Sequence, residues 1–307
     1  MHWTILENLW KRSVNPDHFS IEKKDNYTWN NEIKTLFQLG ISMEDTLQFL
    51  YNQKPDFEDF KSWVNGRKKD ITTEIGDLTE NVLTEEDLQF WDKNGYVVVK
   101  NAISKEDCEA TQTAIWEYLQ MDPDKKETWY VRHKDQKGLM LNFSDHKTLN
   151  KNRFSPIIKK AYEQLYKTNN IYKTIDKVSF NPPENDQFTF LGSPLHWDTS
   201  LKKPLTFGLQ GLLYLTDCGP DDGAFHCVPG FHNQINQWLD DLGPDENPRE
   251  KAVETLRPKP VEGDAGDFII WNNALPHCAT ANKGKTPRMV QYLTYLPNDY
   301  NASGEWL

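Results

Sequence analysis

The chain is short of several things, and each shortage excludes a class of protein. Lysine and arginine number 35 against 46 acidic residues, a formal net charge of −11. No basic stripe offsets this; the longest basic cluster, Arg67-Lys68-Lys69, runs straight into Asp70. Nucleic acid is therefore not an expected partner, since phosphate backbones are bound through clustered cations. Cysteine is scarce. Cys108, Cys218, Cys227 and Cys278 have neither C-x-x-C spacing nor the density of a disulfide framework. Long apolar runs are missing too: no stretch spans a membrane and none near the start reads as a signal peptide. The terminal Gly304-Glu305-Trp306-Leu307 is not a peroxisomal S-K-L address. A reducing cytoplasm is the expected location.

Aromatic residues, by contrast, are plentiful, with 11 tryptophans in 307 residues, as in a packed globular protein. Residues 1–80 read as a helical extension, and 81–307 as the main domain. In the extension, Ser42-Met43-Glu44-Asp45 looks like a helix cap, and Pro55-Asp56 opens a second turn carrying Phe57, Phe60, Trp63 and Val64 up to Gly66. The extension could simply pack on the main domain, or act as a lid or dimer contact.

In the main domain, Thr84-Glu85-Glu86-Asp87 caps a helix that Gly95 ends, and Tyr96–Val99 is a short β-branched strand. Ser104 caps the next helix, and Ser155-Pro156 starts a third running to about Lys167. From residue 174 the texture turns to strands, expected at 175–180, 187–191, 206–215, 224–228, 267–271 and 289–296. Turns rich in proline, glycine and aspartate separate them. Helices first and strands later indicate an α+β chain, mainly β: a jelly roll backed by helices. There is no internal repeat.

The chemistry centres on Leu195-His196-Trp197-Asp198-Thr199. In extended backbone, His196 and Asp198 share one face and Trp197 the other. Two adjacent ligands and a distant imidazole make the 2-His-1-carboxylate set that suits non-haem Fe(II). So short a pattern also arises by chance. The chain holds a second copy, His133-Lys134-Asp135, in the polar run Arg132–Lys137, which reads as a solvated loop. Three histidines are candidates for the third ligand: His226, His232 and His277. Downstream of His277, Arg288 opens the apolar strand Met289-Val290-Gln291-Tyr292. A cation there is either a surface strand end or a fork for a ligand carboxylate.

The run from Leu83 to Asn298 resembles the phytanoyl-CoA dioxygenase family of Fe(II)/2-oxoglutarate oxygenases. The matching pieces are Leu83-Thr84-Glu85-Glu86-Asp87 with Asn94-Gly95-Tyr96-Val97, then Phe180-Asn181-Pro182-Pro183 and His196-Trp197-Asp198. After them come Asp222-Gly223-Ala224 with Val228-Pro229-Gly230-Phe231-His232, Gly266-Asp267 leading to His277, and Asn282 leading to Arg288. The resemblance implies a cupin-like double-stranded β-helix holding iron through His196, Asp198 and His277, with 2-oxoglutarate as cosubstrate and its distal carboxylate on Arg288. It also implies decarboxylation of 2-oxoglutarate to succinate, coupled through dioxygen to hydroxylation of an unactivated C–H bond. Residues 1–80 lie outside it.

The sequence departs from the family pattern around the cosubstrate. Asn181 stands where a lysine is frequent, Leu212 near a frequent tryptophan, and Ala279 where a serine is frequent, with Thr280 following. Gln210 and Tyr214, alternating with Leu212, are candidates to compensate, so Asn181, Gln210, Tyr214 and Thr280 join Arg288 as expected cosubstrate contacts. The substrate is expected to be a small metabolite, contacted by the loop before the metal strand and by the region Trp129–Asn142. The alternatives are desaturation, epimerisation or ring closure with the same cofactors, or a cupin-like binding protein without turnover. The oligomeric state is not legible.

Overall fold

The structure is a computed structural model that describes residues 2–15, 26–67, 78–190 and 192–301. Lys68, Lys69, Asp70, Leu191 and 304–307 lie outside the described residues. The chain opens with α1 (His2–Val14), α2 (Asn26–Gln38), α3 (Met43–Gln53) and α4 (Phe57–Arg67). Ser42 caps α3, its hydroxyl accepting from the Asp45 N–H. Helix α4 takes in Gly66, the residue up to which its apolar stripe is expected from sequence. An exposed glycine costs a helix only about 1 kcal/mol, too little to end one anchored by Phe60 and Val64. Leu6, Leu9, Leu36, Ile41, Leu50, Phe60 and Val64 bury against one another, giving these helices a core of their own. Polar contacts tie them to the rest of the chain: Glu44 pairs with Lys177, the Ser144 hydroxyl donates to Asp45, and Lys34 donates to the Asn298 carbonyl.

Next come α5 (Glu85–Asn94), β1 (Tyr96–Val99) and α6 (Lys105–Leu119). Thr84 and Asp87 form a reciprocal capping box on α5, and Gly95 closes it at φ +76°. β2 (Gln136–Lys137), β3 (Met140–Leu141), α7 (Lys147–Arg153) and α8 (Pro156–Tyr166) follow, with Ser155 capping α8 ahead of its N-terminal proline.

The strand region holds β4 (Ile171–Lys173), β5 (Val178–Asn181), β6 (Leu209–Tyr214) and β7 (Phe225–Cys227), then α9 (Ile235–Asp240) and α10 (Pro248–Thr255). It ends with β8 (Lys259–Val261), β9 (Phe268–Asn272), β10 (His277–Ala279), β11 (Arg288–Tyr292) and β12 (Tyr295–Pro297). Of the strand expected at 187–191, the described residues 187–190 form none. Asn185 instead folds a turn, its side chain accepting from the N–H groups of Gln187 and Phe188. The run expected at 289–296 divides, because β12 leaves the main sheet to pair with β4.

The larger sheet runs β1-β9-β6-β11-β5-β3-β2 and the smaller β10-β7-β8, every ladder antiparallel. They face each other as a double-stranded β-helix. Strand alternation sorts their side chains. Phe268, Ile270, Leu213 and Met289 point outward onto α6, α7 and α8, while Ile269, Trp271, Leu212, Tyr214 and Val290 point inward onto β7 and β10. Each such fully buried apolar side chain contributes roughly 1.5–3 kcal/mol. The same alternation turns Arg288, Asn181 and Gln210 into the barrel. Among the described residues no helix is long and apolar enough to cross a membrane.

Candidate metal centre

His196 and His277 exchange both backbone hydrogen bonds, His196 N–H to His277 O at 3.0 Å and the reverse at 2.9 Å. In antiparallel pairing this places both side chains on one face, and the ring centroids lie 4.6 Å apart. Two residues on, Asp198 returns to that face. Trp197 points the other way, buried, its indole donating to the Ala274 carbonyl at 2.9 Å. Asp198 Oδ2 lies 3.1 Å from His277 Nε2 and Oδ1 lies 3.6 Å from His196 Nε2. One ligand atom from each residue falls within 4.8 Å of the others, and this is the one such group of three among the described residues.

The imidazoles have their inner nitrogens assigned. His196 Nδ1 is 2.8 Å from the Pro194 carbonyl and His277 Nδ1 is 3.1 Å from the Leu275 carbonyl. A carbonyl only accepts, so each Nδ1 carries a proton, and each Nε2, facing Asp198, is the nitrogen left to bind a metal. Burial, and then the charge of His277, push the His196 pKa down. Burial alone would raise the Asp198 pKa, but the bonds from His277 and Gln210 outweigh it and leave the carboxyl well below the usual range. Both directions favour the forms that donate electron pairs to a metal.

Gln210 braces the carboxylate. Its amide donates to Asp198 Oδ2 at 2.9 Å and accepts from the Trp271 indole at 3.1 Å. Trp271 and Phe225 also wall His277, with centroids 5.3 and 5.7 Å from its ring.

Arg288 is buried, not a surface strand end, and lies opposite Asn181 in the β11–β5 ladder. Its guanidinium sits 5.7 Å from the Tyr214 ring centroid. Arg288 Nε and Nη1, Asn181 Oδ1 and the neighbouring Ser179 hydroxyl are buried without protein partners. Buried donors in a guanidinium call for an acceptor. The Tyr214 hydroxyl, in contrast, is engaged: it donates to the Val261 carbonyl and accepts from the Phe225 N–H. Thr280 holds Asn181 through its backbone carbonyl.

A cavity of 700 Å³ joins the His196–Asp198–His277 group to Arg288. Phe190 and Ser193, from the loop before the metal strand, and Leu139 and Met140, from the region 129–142, line it. The other candidate histidines lie elsewhere. His226 is on the opposite face of β7 from Phe225 and Cys227, and the His232 ring packs against Gly95, where a Cβ would meet Nδ1 at 2.4 Å. The run 132–137 is not simply solvated: it includes β2, and Tyr118 packs on His133 and donates to Asp135. A polar residue with a partly buried hydrogen-bond partner packs against it despite its own hydropathy. Two residues of the centre were not visible in the sequence, Trp271 and Arg249, because their partners lie 61 and 52 positions away.

Residues 91–290, nearly two thirds of the chain, match the profile of the phytanoyl-CoA dioxygenase family. The chain belongs to that family. A putative phytanoyl-CoA dioxygenase of Dictyostelium discoideum is 23% identical over 260 residues, 68% of this chain and 74% of the relative. Among solved structures, AviO1 from Streptomyces viridochromogenes Tue57 is similar with a TM-score of 0.54 at 16% identity, covering 73% of this chain and 100% of AviO1. The epimerase SnoN, solved with Fe3+, alpha ketoglutarate and nogalamycin RO, is similar with a TM-score of 0.51 at 16% identity, over 72% of this chain and 87% of SnoN. The phytanoyl-CoA dioxygenase segment thus starts within α5 and takes in His196, Asp198, His277 and Arg288.

Proposed function

We propose that this chain is an Fe(II)/2-oxoglutarate-dependent oxygenase that hydroxylates an unactivated C–H bond of a small metabolite. The observation that carries the reading is the convergence of two imidazole Nε2 atoms and one carboxylate, with one ligand atom from each within 4.8 Å of the others. Two imidazoles with one carboxylate suit Fe(II). Arg288 supports the cosubstrate: it is buried on the cavity wall with Nε and Nη1 unpartnered, and a buried guanidinium calls for an acceptor such as a carboxylate.

Bound iron, with 2-oxoglutarate and dioxygen, would supply the oxidising power that cleaves the cosubstrate to succinate and CO2 and attacks the C–H bond. The chain's own residues orient and shield. Gln210 holds Asp198 Oδ2, the two backbone carbonyls hold the imidazole tautomers, and Trp271 and Phe225 keep His277 from solvent. Arg288 fixes the far end of the cosubstrate, with Tyr214 beneath it and Asn181 beside it.

The division into an extension over 1–80 and an oxygenase domain over 81–307 belongs to this proposal. It is supported by the separate core of α1–α4 and by a family match that begins at residue 91. A reducing cytoplasm suits the four buried free thiols. The test is anaerobic loading with Fe(II) and 2-oxoglutarate, then oxygen with a metabolite panel. Succinate should form with the true substrate, and a product heavier by one oxygen marks hydroxylation rather than desaturation, epimerisation or ring closure. A chain that binds neither iron nor 2-oxoglutarate would refute the reading.

A further inference from the structure

The segment carrying two of the proposed ligands is weakly held by its own sheet. Around residues 195–199 the His196–His277 bridge is isolated, and the chain then turns out of the ladder through Asp198 and Thr199. The second support comes from α10. Arg249, in the first turn of that helix, donates from Nη1 to the Trp197 carbonyl at 2.8 Å and from Nη2 to the Thr199 carbonyl at 2.9 Å. The two acceptors flank Asp198. The Trp197 carbonyl lies in the peptide plane just before Asp198, and the Thr199 carbonyl in the plane one residue beyond it. A planar fork bonded to both thus spans Asp198 and restricts the backbone that sets the direction of its Cα–Cβ bond.

The fork is itself rigidly mounted. Asn247 caps α10, accepting from the N–H groups of Arg249 and Glu250, and Pro248 opens its first turn. Ala252 is fully buried and Leu256 packs on the inner core, so the helix is seated on the barrel. Asp198 is thereby held twice: its carboxylate by Gln210, and the backbone of its two neighbours by Arg249.

Resting on the metal-centre reading above, we propose that Arg249 is a positioning residue. By clamping the Trp197 and Thr199 carbonyls it sets where Asp198 stands relative to His196 and His277, and so sets the affinity and symmetry of the metal site without touching the metal. Lysine could replace it only in part, because an ammonium is a point donor without the planar fork that spans two carbonyls.

The test is anaerobic titration of the full chain with Co(II), whose visible d–d absorption reports both affinity and ligand geometry. Arg249→Met should bind Co(II) at least about tenfold more weakly, as removal of outer-shell partners typically does, with an altered d–d envelope. Arg249→Lys should fall between it and the wild type, and keeps the test open if Arg249→Met does not fold. Asn247→Ala removes the cap of α10 but leaves the fork, and should keep the wild-type spectrum. Two results would overturn the role: unchanged Co(II) affinity and spectrum in Arg249→Met, or an equal loss in Asn247→Ala, which would reduce Arg249 to a helix anchor. A wild type that fails to take up Co(II) would instead remove the metal centre itself, and this proposal with it.

Discussion

The chain carries the tripeptide pattern His-x-Asp twice, and the two copies have opposite fates. In His133-Lys134-Asp135 the imidazole Nδ1 accepts from the Asp135 N–H, and the carboxylate accepts from the Tyr118 hydroxyl. Both polar groups are consumed locally, and among the described residues no third ligand joins them. In His196-Trp197-Asp198 the Nδ1 proton is spent on a backbone carbonyl, which leaves Nε2 turned towards Asp198. The intervening residue decides the rest. Lys134 is exposed, whereas Trp197 is buried and bonded to Ala274, locking its neighbours onto the cavity face. A ligand pair needs an anchored residue between its members and a third donor across the sheet; spacing alone supplies neither.

The sharpest way to break the comparison is at the ligands. Asp198→Ala and His277→Ala should each lower metal affinity by two orders of magnitude or more, since even outer-shell losses cost about 10–100-fold. Anaerobic Fe(II) binding measured by metal analysis after desalting checks this. Stoichiometric iron in His277→Ala together with its loss in His226→Ala would reassign the third ligand. Next in size is Arg288→Leu. Truncating one member of a buried charge pair costs about 2–5 kcal/mol. Affinity for 2-oxoglutarate should therefore fall by roughly 30-fold or more, at about 1.4 kcal/mol per tenfold. Titration of the Fe(II) charge-transfer band measures it, and iron binding should persist.

Gln210→Leu comes third. It removes the bond to Asp198 Oδ2 and the partner of the Trp271 indole, and should weaken metal binding by about tenfold while leaving 2-oxoglutarate on Arg288. A selective loss of cosubstrate affinity would instead make Gln210 a direct contact. The smallest effect belongs to the other copy: His133→Ala should leave iron affinity unchanged and cost about 1 kcal/mol of stability, the size typical of a partly buried substitution. Iron loss in this variant, with the circular dichroism spectrum intact, would overturn the distinction.

Much of this was legible beforehand because it is local. The caps at Ser42, Thr84, Ser104 and Ser155 hold, each side chain accepting from the backbone N–H three residues on. The spacing of His196 and Asp198, and the oddity of a cation opening an apolar strand, were equally plain. Over 187–190 the expected strand is replaced by a turn because the Asn185 side chain accepts from the N–H groups of Gln187 and Phe188, which apolar content does not reveal.

What only the tertiary structure decided is whatever depends on which strands become neighbours. His277 rather than His226 meets Asp198 because β10, and not the outer face of β7, lies beside residue 196. Gln210 bonds both Asp198 and Trp271 because β6 lies next to β9, which sets it opposite Trp271. The fork of Arg249 exists because α10 packs back over the metal strand. A sequence states side-chain chemistry and its alternation along one strand. Long-range pairing is set by burial of the whole sheet, to which each residue contributes only a part.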